Sequence, residues 1–177
     1  MNDRQPSPWL LRQAHRFRPA GRILDLACGS GRHSRWLAAQ GYRVLAVDRD
    51  PEALAGLAGV PGLETRQLDL EGEVWPLGGL EFDGVLVTNY LYRPRLDALV
   101  QLLAPAGILI YETFMVGHEV FGRPSRPDFL LQPGELLELA WRHDLFVAGF
   151  EQGETGAPAR VQRLCASRDA LGTGQQL

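Results

Sequence analysis

The chain has 177 residues, 45% apolar and 22% charged, with a net charge of -3. That length suits one domain with a real core, and that composition excludes disordered and fibrous classes. The mildly negative balance gives no global pull toward nucleic acid or an anionic membrane, and no apolar run approaches the roughly 18 residues of a spanning helix.

Residues 8–16 are expected to form a short amphipathic helix, with Trp9, Leu10 and Ala14 on one side. Ile23–Leu26 reads as a buried strand that carries Asp25. A loop of small residues follows, Ala27-Cys28-Gly29-Ser30-Gly31. A helix then runs through Trp36 and Leu37 to a stop at Gly41. Val44–Val47 is a second buried strand and ends at Asp48. Asp50-Pro51-Glu52 starts the next helix, with Asp50 as cap and Leu54 and Leu57 facing inward. Leu63–Leu68 is a more polar strand that leads into Asp69 and Leu70. Val85–Val87 is expected to be a central strand.

Leu96, Leu99, Val100 and Leu103 have helical spacing, and Pro105 and Gly107 are expected to end that helix. Ile108–Tyr111 is a further strand. The segment 115–132 has no period and reads as a loop insertion. Leu136, Leu137, Ala140 and Trp141 mark a last helix. Leu145–Phe150 and Ala159–Ala166 are strands joined only by Gln152–Pro158. A parallel connection needs roughly a dozen residues or more, so these two must form an antiparallel hairpin. Alternating strands and helices imply a mostly parallel α/β sheet covered on both faces, with one antiparallel strand near its C-terminal end. The chain is expected to be one domain, with a polar tail over 169–177 that frays.

The glycine loop and the acids after it carry the functional signal. Glycines let backbone approach a ligand closely, and the helix behind them directs free N–H groups at it. Asp48 follows Gly31 by 17 residues, near the roughly 20 between a glycine loop and a ribose-gripping acid. A dinucleotide fingerprint needs a third glycine where this chain has Ser34. The pattern, from Asp25 through Ala27, Gly29 and Gly31 to Asp48, resembles motif I of the class I S-adenosylmethionine-dependent methyltransferases, with Ala27 in place of the usual first glycine. The compact Asp-Leu-Ala-Cys-Gly-Ser-Gly-Arg-His-Ser loop is similar to that of small bacterial members of the tellurite-resistance type.

That resemblance implies a doubly wound, mostly parallel seven-stranded sheet and S-adenosylmethionine as the methyl donor. It implies donor contacts from the glycine loop, with Asp25 supporting them indirectly. Asp48 would hold the ribose, Asp69 would accept from the adenine amino group, and the Leu70 N–H would meet the ring. Arg49 or Asp50 would flank the adenine face, and Asn89 would sit near the donor.

Strand four ends in Asn89-Tyr90-Leu91-Tyr92-Arg93, beside the position of the transferring methyl in that family. Methyl transfer needs the acceptor aimed and water excluded. Tyr90 and Tyr92 would serve as walls and Arg93 would hold an anionic acceptor; the alternative is that the tyrosines only pack. Loop 115–132, with Arg123 and Arg126, would be a lid over the acceptor or an arm for dimerisation. His33 opens the first long helix, where a packed role is expected over a catalytic one.

Cys28 lies in the glycine loop and Cys165 is expected in the core; two cysteines make no disulfide framework. All 18 basic residues are arginine, which removes lysine chemistry. Four histidines without close pairing give no expectation of a metal site. The start, Met-Asn-Asp-Arg-Gln-Pro, lacks the apolar core of a signal peptide, so a cytoplasmic location is expected. The expected function is methylation of a small acceptor, for which the arginines allow an anion. Two alternatives stay open: a methyltransferase for tRNA or another macromolecule, using Arg4, Arg12, Arg16, Arg18 and Arg22, and a non-catalytic cofactor-binding module.

Overall fold

The computed structural model of the chain describes residues 5–169. Seven strands form one sheet: β1 Arg22–Leu26, β2 Arg43–Asp48, β3 Leu63–Gln67, β4 Phe82–Thr88, β5 Leu103–Phe114, β6 Phe146–Glu154 and β7 Arg160–Ser167. Their spatial order is β3-β2-β1-β4-β5-β7-β6. The first five are parallel to one another, and β7 is antiparallel to both β5 and β6. From β1 the chain winds outward through β2 and β3, then returns to β4 on the other side. The loops after β1 and β4 therefore diverge and leave a crevice at the carboxyl ends of the strands.

Helices cover both faces: α1 Pro8–Gln13, α2 Arg32–Ala39, α3 Pro51–Ala55, α4 Leu96–Val100 and α5 Glu135–Arg142. The central strands are buried on both sides, which is why Ile23–Leu26 and Val85–Val87 read as unbroken apolar runs rather than alternating ones. On one face Trp9, Leu10 and Phe17 pack with Leu37, Leu86 and Ile110. On the other, Leu24, Val85 and Leu109 meet Leu99, Leu136 and Leu139. Gly84 has a steric reason to be glycine in a central strand. A Cβ there would lie 2.4 Å from the Phe17 ring, so the missing side chain lets that ring seal the sheet.

The antiparallel hairpin forms as the short connection requires, with β6 running on to Glu154 and β7 of the expected length. Ser7 caps α1, accepting from the Trp9 N–H at 3.1 Å, and a short 3-10 turn carries that helix on to Arg16. Asp50 caps α3 through the Glu52 N–H at 2.9 Å. Two details differ from expectation. The helix after β4 ends at Val100, and Leu103 already pairs with Phe82 at the start of β5. Pro105 and Gly107 sit in a bulge of that strand, where Ala106 takes φ +58. Leu103 fits both a helix face and a strand position; the Phe82 N–H bonding the Leu102 carbonyl at 2.8 Å decides for the strand. In α5, Leu139 turns inward and Trp141 is 65% exposed. Of the expected tail, residues 170–177 lie outside the described residues. Among the described residues, no helix is long and apolar enough to cross a membrane.

Candidate active site

The loop between β1 and α2 is shaped by left-handed backbone at Ala27 (φ +54), Gly29 (φ +54) and Gly31 (φ +72). Only glycine adopts that region without steric cost, so Ala27 stores strain that a glycine would not. A Cβ on Gly29 would meet nothing within 4 Å, whereas one on Gly31 would strike Leu57 at 2.4 Å. Gly29 thus leaves space for a ligand, and Gly31 lets the loop close against the core. Asp25 is fully buried behind the loop and accepts the Ser34 hydroxyl. Burial pushes its carboxyl up to about 7, against the opposing pull of the Ser34 bonds. Its Oδ1 has no partner among the described residues.

Asp48 ends β2 half-buried. Its carboxylate accepts the Gly29 N–H at 2.7 Å and the Asp50 N–H at 3.0 Å. Each oxygen keeps a further lone pair, and the group lines a cavity of about 330 Å³. Asp69 lines the same cavity, its Oδ1 fixed by the Glu71 N–H at 3.0 Å. Ala27, Arg49, Leu68 and Leu70 complete this side. Asp50 is occupied in capping α3 and does not line the cavity, so of the two expected adenine neighbours Arg49 is the one placed there.

The opposite wall comes from the ends of β4 and β5. Asn89 adopts φ +55, and its N–H bonds the Glu112 carbonyl at 2.9 Å. That turn, with the Tyr111 hydroxyl donating to the Tyr90 carbonyl at 2.8 Å, aims Tyr90 into the cavity. Thr113, Phe114, Pro124 and Phe129 line it as well. Sequence reasoning missed these four, along with Leu68, Glu71 and Leu91. Thr113 and Phe114 were findable, since they end a central strand. Pro124 and Phe129 come from a loop whose path no period encodes.

Two expected residues stand elsewhere. Tyr92 donates its hydroxyl to the Glu71 carbonyl at 3.3 Å and does not line the cavity. Arg93 holds Glu135 with a two-pronged ion pair, at 2.6 and 2.8 Å, and also donates to the carbonyls of Asp128 at 3.0 Å and Leu130 at 2.8 Å. A guanidinium has five N–H donors, and here they are committed to the protein. Arg93 is a strut that fastens the 127–130 segment to α5, not an open anion site. The ion pair is too distant in sequence, 93 to 135, for spacing to reveal.

Loop 115–132 is more structured than its sequence suggests. Met115 bridges to Leu131, and His118, Leu130 and Leu131 are buried. His118 stacks on Phe114 with ring centroids 4.1 Å apart. His33 is 2% exposed and accepts the Ser7 N–H through Nε2 at 3.1 Å, while its Nδ1 faces the Thr88 hydroxyl at 3.2 Å. Accepting at Nε2 places the ring proton on Nδ1. Burial lowers its pKa to about 3, so it is a neutral packing residue that ties α1 to the sheet. Cys28 and Cys165 are buried and free, and burial raises both thiols away from reactivity.

Residues 23–107 match the family model described as a methyltransferase domain. The sheet order and the matching solved structures give the chain the class I methyltransferase fold. The family-model match starts in β1 and ends in the β5 bulge, so it spans the glycine loop, Asp48, Asp69 and Tyr90. TehB from Haemophilus influenzae has the same fold, with a TM-score of 0.76 at 19% identity, covering 93% of this chain and 63% of that one. A 1,6-didemethyltoxoflavin-N1-methyltransferase from Burkholderia thailandensis, solved with bound S-adenosylhomocysteine, gives 0.67 at 22% identity and covers 90% and 75%. A thiopurine S-methyltransferase from Pseudomonas putida is 38% identical over 80 residues, 44% of this chain and 37% of the relative. The chain thus matches well under half of the length of that curated relative. Other relatives matching about half of this chain are named for rRNA or tRNA modification.

Proposed function

We propose that this protein is an S-adenosylmethionine-dependent methyltransferase acting on a small acceptor. One observation supports the reading most strongly: the two strand-end acids, Asp48 and Asp69, and Tyr90 from the far side of the switch point line one cavity. In this reading Asp48 accepts the ribose hydroxyls, Asp69 accepts from the adenine amino group, and the Leu70 N–H and Arg49 flank the ring. Gly29 and Gly31 shape the loop that lets the donor approach, and Asp25 supports that loop from behind. The open space beside Gly29 fits such a ligand. When bound, the donor supplies an electrophilic methyl on a sulfonium. Asn89 and Tyr90 then orient the acceptor, and the aromatic walls exclude water.

A macromolecular acceptor draws less support from the described residues. Arg12 pairs with Glu151 at 2.8 Å, Arg18 with Asp83 at 3.6 Å, and Arg22 lies over the Phe82 ring. Each of those cations of the N-terminal segment has a partner within the molecule, and Arg4 lies outside the described residues. Titration with S-adenosylmethionine, S-adenosylhomocysteine and NAD tests the donor. Saturable binding of the first two with no binding of NAD is expected, and preference for NAD would overturn the reading.

A further inference from the structure

We propose that the acceptor is a flat, uncharged molecule with a nitrogen or sulfur nucleophile, held against Tyr90, Phe114 and Phe129. This rests on the methyltransferase reading of the same cavity. Three observations lead to it.

The acceptor side of the cavity is mostly apolar, with Leu91 and Pro124 beside those three rings and Asn89 and Thr113 as its polar members. Planar ligands gain stacking on such walls beyond the area they bury. The cavity of about 330 Å³ lies at the small end of ligand sites, roughly 300–1,000 Å³. The donor must share it, so a small flat partner fits better than a bulky one.

Its charge is the second observation. Asp48, Asp69 and Glu71 line the cavity against one arginine, Arg49, which lies on the nucleoside side. Two further arginines near the cavity are engaged. Arg93 is committed to Glu135 and loop carbonyls. Arg126 pairs with Asp128 at 3.0 Å and lies over the Phe129 ring at 5.5 Å. An anionic acceptor would enter a site lined by three carboxylates and one arginine, and unpaired charge is costly to desolvate.

The third observation is the Tyr90 hydroxyl. It is buried, lies beside the Glu71 carboxylate, and has no partner in full hydrogen-bond geometry among the described residues. An unsatisfied buried hydroxyl costs free energy that a ring heteroatom of the acceptor would recover.

The chemistry is consistent with this charge pattern. The acceptor's lone pair forms a bond to the methyl carbon while the carbon–sulfur bond breaks and its electron pair moves to sulfur. Positive charge passes from the sulfonium to the acceptor. An N–H or S–H nucleophile then releases a proton, and Glu71 is the carboxylate on the cavity rim to receive it. The surrounding acids stabilise the charge throughout its passage.

The test uses the full chain saturated with S-adenosylhomocysteine, with saturation first established by calorimetry. Failure at that step rejects the methyltransferase reading itself rather than the acceptor class. The loaded protein is then screened by saturation-transfer NMR with size-matched fragments: pyridine-2-thione and 2-aminopyrimidine against benzoate and picolinate. The uncharged pair should bind. Phe129→Ala should weaken that binding at least tenfold while S-adenosylhomocysteine affinity stays within twofold. Tyr90→Phe should still bind these rings but lose the preference for them over benzene. Tighter binding of the carboxylates, binding of neither set, or fragment affinity unchanged by Phe129→Ala would each overturn the proposal.

Discussion

Replacing Arg93 by Ala should loosen one wall of the cavity rather than remove a substrate anchor. The guanidinium side chain is 37% exposed and Glu135 17%, so solvent screens the pair and its direct worth is about 1 kcal/mol. The carbonyls of Asp128 and Leu130 lose charged donors as well, at roughly 0.5–1 kcal/mol each after the same discount. The sum is about 2–3 kcal/mol, concentrated on 127–130. That corresponds to amide exchange faster by roughly 30- to 140-fold in that segment. Arg93→Lys keeps the charge but not the fork, and should recover only a small part. S-adenosylmethionine affinity should stay within a few-fold, because Arg93 does not line the cavity. Hydrogen exchange by mass spectrometry reads the segment directly. Wild-type protection over 127–130 in Arg93→Ala would refute the strut, and so would full recovery by lysine.

Other expectations follow from single contacts. Asp48→Asn should weaken S-adenosylmethionine at least tenfold by calorimetry, as hydrogen bonds to a charged group contribute roughly 1.5–3 kcal/mol. It should also lower thermal stability, since the same carboxylate ties Gly29 to the start of α3; unchanged affinity would remove Asp48 from the donor site. Gly31→Ala should lose more stability than Gly29→Ala in chemical denaturation: both carry the left-handed strain of about 1–2 kcal/mol, but only Gly31 meets Leu57.

The pH response comes from two buried groups that oppose each other. His33 is lowered from 6.5 to about 3, so the unfolded chain takes its proton first and stability falls as pH drops below 6.5. Asp25 is raised from 3.8 to about 7, so the folded chain takes its proton first and stability rises over the same range. Each slope is about 1.4 kcal/mol per pH unit. Relative to the wild type, His33→Gln should therefore gain stability between pH 6.5 and 4.5, and Asp25→Asn should lose it. Parallel melting curves for all three proteins would show that neither group is perturbed.

The half of the site that sequence exposes is the half built by local rules. A glycine loop between a strand and a helix, and acids at the ends of Val44–Val47 and Leu63–Gln67, are set by short-range geometry. Asp48 follows from its spacing to the glycine loop, while Asp69 and Leu70 follow from the family resemblance. The acceptor wall is different. Phe129 reaches the cavity because Arg93 and Glu135, 42 residues apart, clamp the segment that carries it. Arg93 looked available because composition shows charges and not their partners. The bulge at Ala104–Gly107 was read as a helix end for a similar reason: proline and glycine signal a break but not which element breaks.

The central claim, that the crevice after β1, β2 and β3 is a methyl-donor site, is tested most directly by a crystal structure of the full chain with S-adenosylhomocysteine. The account predicts both ribose hydroxyls within hydrogen-bond distance of the Asp48 carboxylate, the adenine amino group on Asp69, and the sulfur facing Tyr90. A nucleoside bound elsewhere, or in this crevice with its ribose away from Asp48, would contradict it.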